Sequence, residues 1–126
     1  MNVHFSSAHD NWSTPVDVYE ALDREFGFND DPCPIGGGGG LERDWISPVF
    51  VNPPYSNLKA WCKKAYEEHL KGKTVVMLIP SRTDTFAFHE YCMKATEIRF
   101  IRGRLKFGGS KNSAPFPSAI IIFKKA

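Results

Sequence analysis

A chain of 126 residues with 42% hydrophobic and 24% charged residues and a net charge of +2 has the size of one domain and buries roughly two thirds of its unfolded surface. No stretch approaches eighteen consecutive apolar residues and no basic segment followed by an apolar one stands at the N-terminus, so neither a membrane span nor a signal peptide is expected. Three cysteines, Cys33, Cys62 and Cys92, are an odd number without a C-x-x-C pair, which argues against a disulfide framework or a zinc ribbon and for a reducing, cytoplasmic setting.

Met1 to Asp10 is polar and aperiodic and reads as a loose arm. Thr14-Pro15 then opens a helix: Thr14 is a natural N-cap, Pro15 suits the first helical position, and Val18, Tyr19, Leu22 and Phe26 share an apolar face up to Gly27. Phe28 to Asp31 is expected as a short strand, followed by Pro32-Cys33-Pro34 and five glycines, Gly36 to Gly40. Beyond Trp45 lies a strand at Pro48-Val49-Phe50-Val51. A second helix runs from about Asn57 to Lys71, with Leu58, Trp61, Cys62, Ala65 and His69 on one face and Gly72 as its terminator. Thr74 to Ile79 is apolar without alternation, the mark of a strand buried on both faces in the middle of a parallel sheet. Pro80 to Thr85 is a loop in which Thr83 caps a third helix carrying Phe86, His89 and Met93 on one face and ending near Ala95. Glu97 to Ile101 is the fourth strand, Arg102 to Pro117 a loop with a short strand at Leu105 to Phe107, and Ser118 to Phe123 the last strand. Such alternation implies an α/β sheet covered on both faces, in which ligands bind beyond the carboxyl ends of the strands. Three loops gather at that edge: Asp31 to Pro34, Asn52 to Tyr55, and Pro80 to Thr85.

The loop Asn52-Pro53-Pro54-Tyr55 carries the most specific chemistry. Proline fixes its own φ and pushes the preceding residue towards extended geometry, so two in succession hold the backbone carbonyls still. An exocyclic amine on a planar base is a poor nucleophile because its lone pair is delocalised into the ring. If the Asn52 side-chain oxygen and the Pro53 carbonyl each accept one N–H, that pair is localised and aimed, and no side-chain nucleophile is needed. Tyr55 offers a face for stacking. The chemistry this suggests is amine methylation. The plainer reading, loop punctuation after a strand, stands beside it.

Charge is segregated along the chain. From Glu97 to Ala126 seven basic residues face one acidic residue, giving +6 there and −4 elsewhere, the electrostatic footprint of a polyanion partner. Arg102, Arg104 and Lys106 are phosphate-contact candidates, and Arg82 is a phosphate or base contact at the sheet edge. Phe107 has two readings, stacking on a base or packing against basic stems. The glycine run lacks the Lys-Ser/Thr of a phosphate loop and reads as a connector. His89 and Cys92 sit three apart, but the remaining ligands of a metal site are missing, so no metal is expected.

Read together, these residues resemble the phage-type DNA N6-adenine methyltransferases. Asn52-Pro53-Pro54-Tyr55 looks like their catalytic loop, and Asp31-Pro32-Cys33-Pro34 is similar to the strand-end segment facing the cofactor. Trp12-Ser13-Thr14-Pro15 looks like the approach to their first helix, which lies against the cofactor. Leu78 to Thr85, Arg99 to Phe107 and Ala114 to Ser118 also read as this family does. The resemblance implies S-adenosylmethionine as cofactor, with Trp12, Thr14, Pro15, Asp31, Pro32 and Cys33 binding it, and DNA as partner, either with a flipped adenine or single-stranded. A bacterial cytoplasm, with phage or prophage origin, is implied too. The departure is length: twenty residues separate Asp31 from Asn52, too few for the two strands that follow the first in a full methyltransferase sheet, since one βαβ unit needs roughly thirty. The expected fold is a reduced Rossmann-like sheet of about five mostly parallel strands, the last antiparallel between its predecessors, with helices on both faces. Segment Ile35 to Asp44, the N-terminal arm or a second subunit in a homodimer would close the cofactor pocket, with Glu42 or Asp44 replacing the missing ribose carboxylate. Competing readings are methylation of RNA adenine or of a protein glutamine amide, and a nucleic-acid-binding protein impaired in catalysis.

Overall fold

A computed structural model describes residues 13–34, 39–107 and 113–125. The expectations for the N-terminal arm, for Trp12 and for Gly36 to Gly38 lie outside these described residues.

Four strands, β1 (Val49–Val51), β2 (Val75–Pro80), β3 (Glu97–Phe100) and β4 (Ser118–Phe123), form one sheet in the order β1-β2-β4-β3. β1 is parallel to β2, and β4 is antiparallel to both β2 and β3, so β3 runs in the direction of β1 and β2. The last strand therefore lies reversed between its predecessors, as expected. The sheet has four strands rather than the expected five, and with β4 reversed two of its three pairings are antiparallel. The strand expected at Phe28 to Asp31 shrinks to one parallel bridge, Asp30 to Val49, with the Phe50 N–H donating to the Asp30 carbonyl (3.0 Å). Pro32 then offers no N–H with which to continue the ladder. No strand forms at Leu105 to Phe107; there the Ala114 N–H reaches the Leu105 carbonyl at 2.7 Å.

β2 and β4 are buried throughout, and their side chains part to two sides with the two-residue period of a strand. Val75, Met77, Ile79, Ile121 and Phe123 join Trp61, Cys62, Ala65 and Phe88 in one cluster. Val76, Leu78, Ile120 and Ile122 join Leu22, Phe107 and Ala114 in the other. The unbroken apolar run thus marked burial on both faces correctly, although β2 has one parallel and one antiparallel neighbour. α2 (Leu58–Leu70) and α3 (Phe86–Glu90) cover the first face, and α1 (Val16–Phe26) with the segment after β3 covers the second.

The helix ends differ in detail from the sequence reading. Pro15 is the N-cap of α1 and no side chain caps that end, so Thr14 is released for another bond. Gly27 closes α1 at φ 66°, with its N–H on the Asp23 carbonyl at 2.7 Å. For α3 the cap is Thr85 rather than Thr83: its Oγ1 accepts from the Phe88 N–H at 3.3 Å. One register step follows, so Phe88 and Cys92 are buried while Phe86 and Met93 are exposed, the reverse of the expected face.

Glu68, on the inner side of α2, is fully buried and accepts from Lys73 (2.6 Å), Lys71 (2.8 Å) and the Trp45 N–H (2.8 Å), with Lys64 at 3.2 Å. Burial alone would raise its carboxyl, but these donors outweigh burial and hold it down at about 2. The cluster fastens the approach to β1 onto α2.

Candidate active site

β1 runs into Asn52, and the two prolines that follow carry the chain straight into a 3₁₀ turn, Tyr55–Asn57, closed by the Asn57 N–H on the Pro54 carbonyl (3.2 Å). Asn52 is only 5% exposed. Its Nδ2 donates to Thr14 Oγ1 at 3.0 Å. The residue expected to cap a helix thus ties that helix to the Asn-Pro-Pro-Tyr turn.

Thr14 and Asn52 both line a cavity of about 480 Å³. Ser13, Thr14, Val16, Tyr19, Glu20 and Asp23 line it from the start of α1, Asp31, Cys33 and Pro34 from the segment after the Asp30 bridge, and Phe50 and Asn52 from β1. Tyr19 meets Phe50 edge-on with ring centroids 5.1 Å apart.

Two adjacent carboxylates at the rim have opposite environments. Asp30 receives both Arg43 guanidinium nitrogens at 2.8 Å and the Ile46 N–H at 2.8 Å, and Arg43 foremost holds it below the usual carboxylate range. Asp31 lines the cavity instead. Desolvation raises its carboxyl, and the charge of Asp30 adds to this against a bond from the Cys33 N–H. Burial raises the Tyr19 hydroxyl too, helped by Asp23 and Asp31. The cavity wall is acidic, with Glu20, Asp23 and Asp31 and no basic side chain among its described lining residues.

Of the residues expected at this site, the structure brings Asn52, Thr14, Asp31 and Cys33 together. Pro15, Pro32 and Pro53 are buried nearby and do not line the cavity. Glu42 and Asp44 are corrected: neither lines the cavity, and Asp44 pairs with Lys71 at 2.9 Å. The acidic side chains that line it beside Asp31 are Glu20 and Asp23. Their signal was present in the sequence, since Val16, Tyr19, Glu20 and Asp23 fall at the i, i+3, i+4, i+7 spacing of one helix face.

Tyr55 borders a second depression of about 300 Å³ between the start of α2 and α3, shared with Lys59, Arg82 and Phe86. Its ring packs edge-on against Phe116 at 5.1 Å, and burial pushes its hydroxyl up although Arg82 draws it down. Arg102, Arg104 and Lys106 are exposed on the segment after β3. Phe107 is corrected: at 2% exposure it packs in the core near Phe116 (6.0 Å) and presents no face for a base. Arg99, counted in the basic third, is neutralised by Glu25 (2.6 and 2.7 Å) and Glu97 (2.6 Å). The three cysteines are buried, and no group of three or more metal-ligating side chains occurs among the described residues.

The family model for DNA N-6-adenine-methyltransferase (Dam) matches residues 38–125. The chain belongs to this family. The matched span holds the Asn-Pro-Pro-Tyr turn, Arg82 and the basic segment, while the α1 wall of the cavity precedes it. A DNA N-6-adenine-methyltransferase of Escherichia phage T1 is 29% identical over 113 residues, covering 79% of this chain and 48% of the relative. The chain thus spans about half the length of the curated relative it matches. No helix among the described residues is long and apolar enough to cross a membrane.

Proposed function

We propose that this chain transfers a methyl group from S-adenosylmethionine to the N6 amine of adenine in DNA, on a reduced Rossmann-like sheet in which the Asp30 bridge stands for the first strand. One observation carries the reading: the Asn52 carboxamide forms part of an acidic cavity and begins the same rigid turn whose Tyr55 borders a second depression. A donor in the acidic cavity and the target base would meet at Asn52, with the second depression further along the bound strand.

The cavity suits the donor. Its volume falls within the roughly 300–1,000 Å³ of small-molecule sites. Asp31, Glu20 and Asp23 offer carboxylates to an ammonium, a sulfonium and ribose hydroxyls, while Phe50 and Tyr19 offer apolar surface. When bound, the cofactor supplies a methyl group on a positively charged sulfur. Thr14, by holding the Asn52 amide nitrogen, fixes the carboxamide against rotation. The Asn52 oxygen and the Pro53 carbonyl would then accept the two amine N–H groups, in a site built before the substrate arrives. Arg82, Arg102, Arg104 and Lys106 would hold the phosphate backbone, and the adenine would be flipped from a duplex or taken from a single strand. A second copy closing the cavity belongs to the same proposal, and light scattering with and without donor reads it.

The test is incubation with radiolabelled donor and adenine-containing DNA, RNA and glutamine-bearing protein in parallel. Label at N6 of adenine in DNA is expected. Label confined to protein amide, or none at all, overturns the reading.

A further inference from the structure

The depression beyond Tyr55 has a floor of apolar side chains, among them Leu58 and Phe88, and a rim of a different kind. Phe86 stands there 59% exposed, with the Lys59 ammonium 4.6 Å from its ring centroid. Arg82 lies on the same rim, close enough to Tyr55 to act on its hydroxyl. Seven cations of the described residues are in ion pairs: Arg43 with Asp30, Lys64, Lys71 and Lys73 with Glu68, Lys94 with Glu90, Arg99 with Glu25 and Glu97, and Lys124 with Glu97. Among the described residues Lys59 and Arg82 have no ion pair. An apolar floor, an exposed ring and two uncommitted cations complement a planar base with a phosphate beside it.

Position narrows the occupant. Tyr55 is three residues from Asn52, so their Cα atoms lie within about 11 Å, a distance covered by roughly one to three nucleotides of a strand at 3.4 Å each. We propose that this depression is a subsite for a DNA nucleotide flanking the target adenine, its base against Phe86 and its phosphate between Lys59 and Arg82, and that it sets which flanking bases are preferred. The inference rests on the DNA reading above and adds a site to it.

The test is anisotropy of a labelled, adenine-containing single-stranded DNA bound to the full chain without methyl donor, in a salt series. Phe86→Ala should weaken binding about tenfold, the scale of one lost base stack. Lys59→Ala with Arg82→Ala should flatten the dependence of log affinity on log salt by about 0.7, the value for one phosphate contact on a single strand. Leu70→Ala removes an equally exposed apolar side chain at the far end of α2 and should change neither. In the labelled-donor assay Phe86→Ala should raise KM for DNA and leave kcat unchanged, with a shifted flanking-base preference. Wild-type affinity and slope in these variants, or equal weakening by Leu70→Ala, would overturn the subsite, even if wild-type chain methylates DNA. Tighter binding of the matched RNA would overturn the DNA assignment. A Phe86 effect in a chain that transfers no methyl group would keep the subsite and remove the catalytic reading.

Discussion

Asn52→Ala separates the structural from the chemical part of the Asn52 assignment. The variant loses the hydrogen bond to Thr14 Oγ1 at 3.0 Å and leaves a small void in a nearly buried position. The bond contributes about 1 kcal/mol and the void about as much again. A total of about 2 kcal/mol is a few degrees in Tm for a domain of this size and a minor part of the 5–15 kcal/mol that holds such a domain folded. Removing a preorganised hydrogen-bonding group aimed at the reacting atoms costs about 10²–10³ in kcat. Thr14→Ala provides the comparison, because it breaks the same bond but leaves the carboxamide in place: stability should fall similarly, and transfer by much less. The assays are thermal unfolding and steady-state transfer to DNA, with kcat and kcat/KM expected to fall together in Asn52→Ala. If the two variants lose transfer equally, the bond to Thr14 is what matters and the acceptor role of Asn52 is wrong.

Asp31 is raised by desolvation and by Asp30, so its charged form costs stability above its unfolded pKa and acidification relieves that cost; Asp31→Asn should raise Tm at neutral pH while weakening donor binding in calorimetry, and unchanged donor affinity would remove it from the site. Glu68 shows the opposite sign: its pKa falls from 4.5 to about 2, so about 3 kcal/mol is present above pH 4.5 and lost as pH falls towards 2, and Glu68→Gln should flatten the acid limb of a Tm-against-pH curve over that window. Gly40→Ala should unfold the approach to β1, because its Cβ would overlap the Pro32 carbonyl and displace the Gly40 carbonyl that accepts from Trp45 Nε1 at 2.7 Å. Circular dichroism melts of Gly40→Ala and Gly39→Ala, the second with open space at its Cβ but φ 67°, should show the larger loss at Gly40.

What the sequence disclosed about the fold follows the range of the forces involved. Ser118 to Phe123 and the core of Thr74 to Ile79 were legible because a strand buried on both faces must be apolar throughout, whichever way its neighbours run. Direction was not legible in the same run, since parallel and antiparallel neighbours present the same apolar faces. Gly27 and Gly72 ended their helices where expected, both at positive φ, because a left-handed residue is a local demand that glycine meets. The cap of α3 slipped from Thr83 to Thr85, as two equivalent hydroxyls two residues apart compete and tertiary packing of Phe88 decides. Arg99 read as part of a basic face until Glu25, 74 residues earlier, took its charge.

The site divides in the same way. Asn52 to Tyr55 could be placed at a strand end because prolines and an apolar run fix that locally. The bond from Asn52 to Thr14 was not legible, because an N-cap threonine and a threonine holding a side chain across 38 residues have the same local sequence. The acidic wall was misassigned to Glu42 and Asp44, which lie nearest in the chain to where the missing strands would have been. Yet a helix that lays its apolar face on the sheet necessarily turns the next face towards the strand ends, and on α1 that face carries Glu20 and Asp23. If the acidic cavity holds the donor, α1 supplies from its side the carboxylate that the two absent strands would have offered from the other. Glu20→Gln and Asp23→Asn would each weaken donor binding in calorimetry if this compensation holds, whereas Glu42→Gln would not.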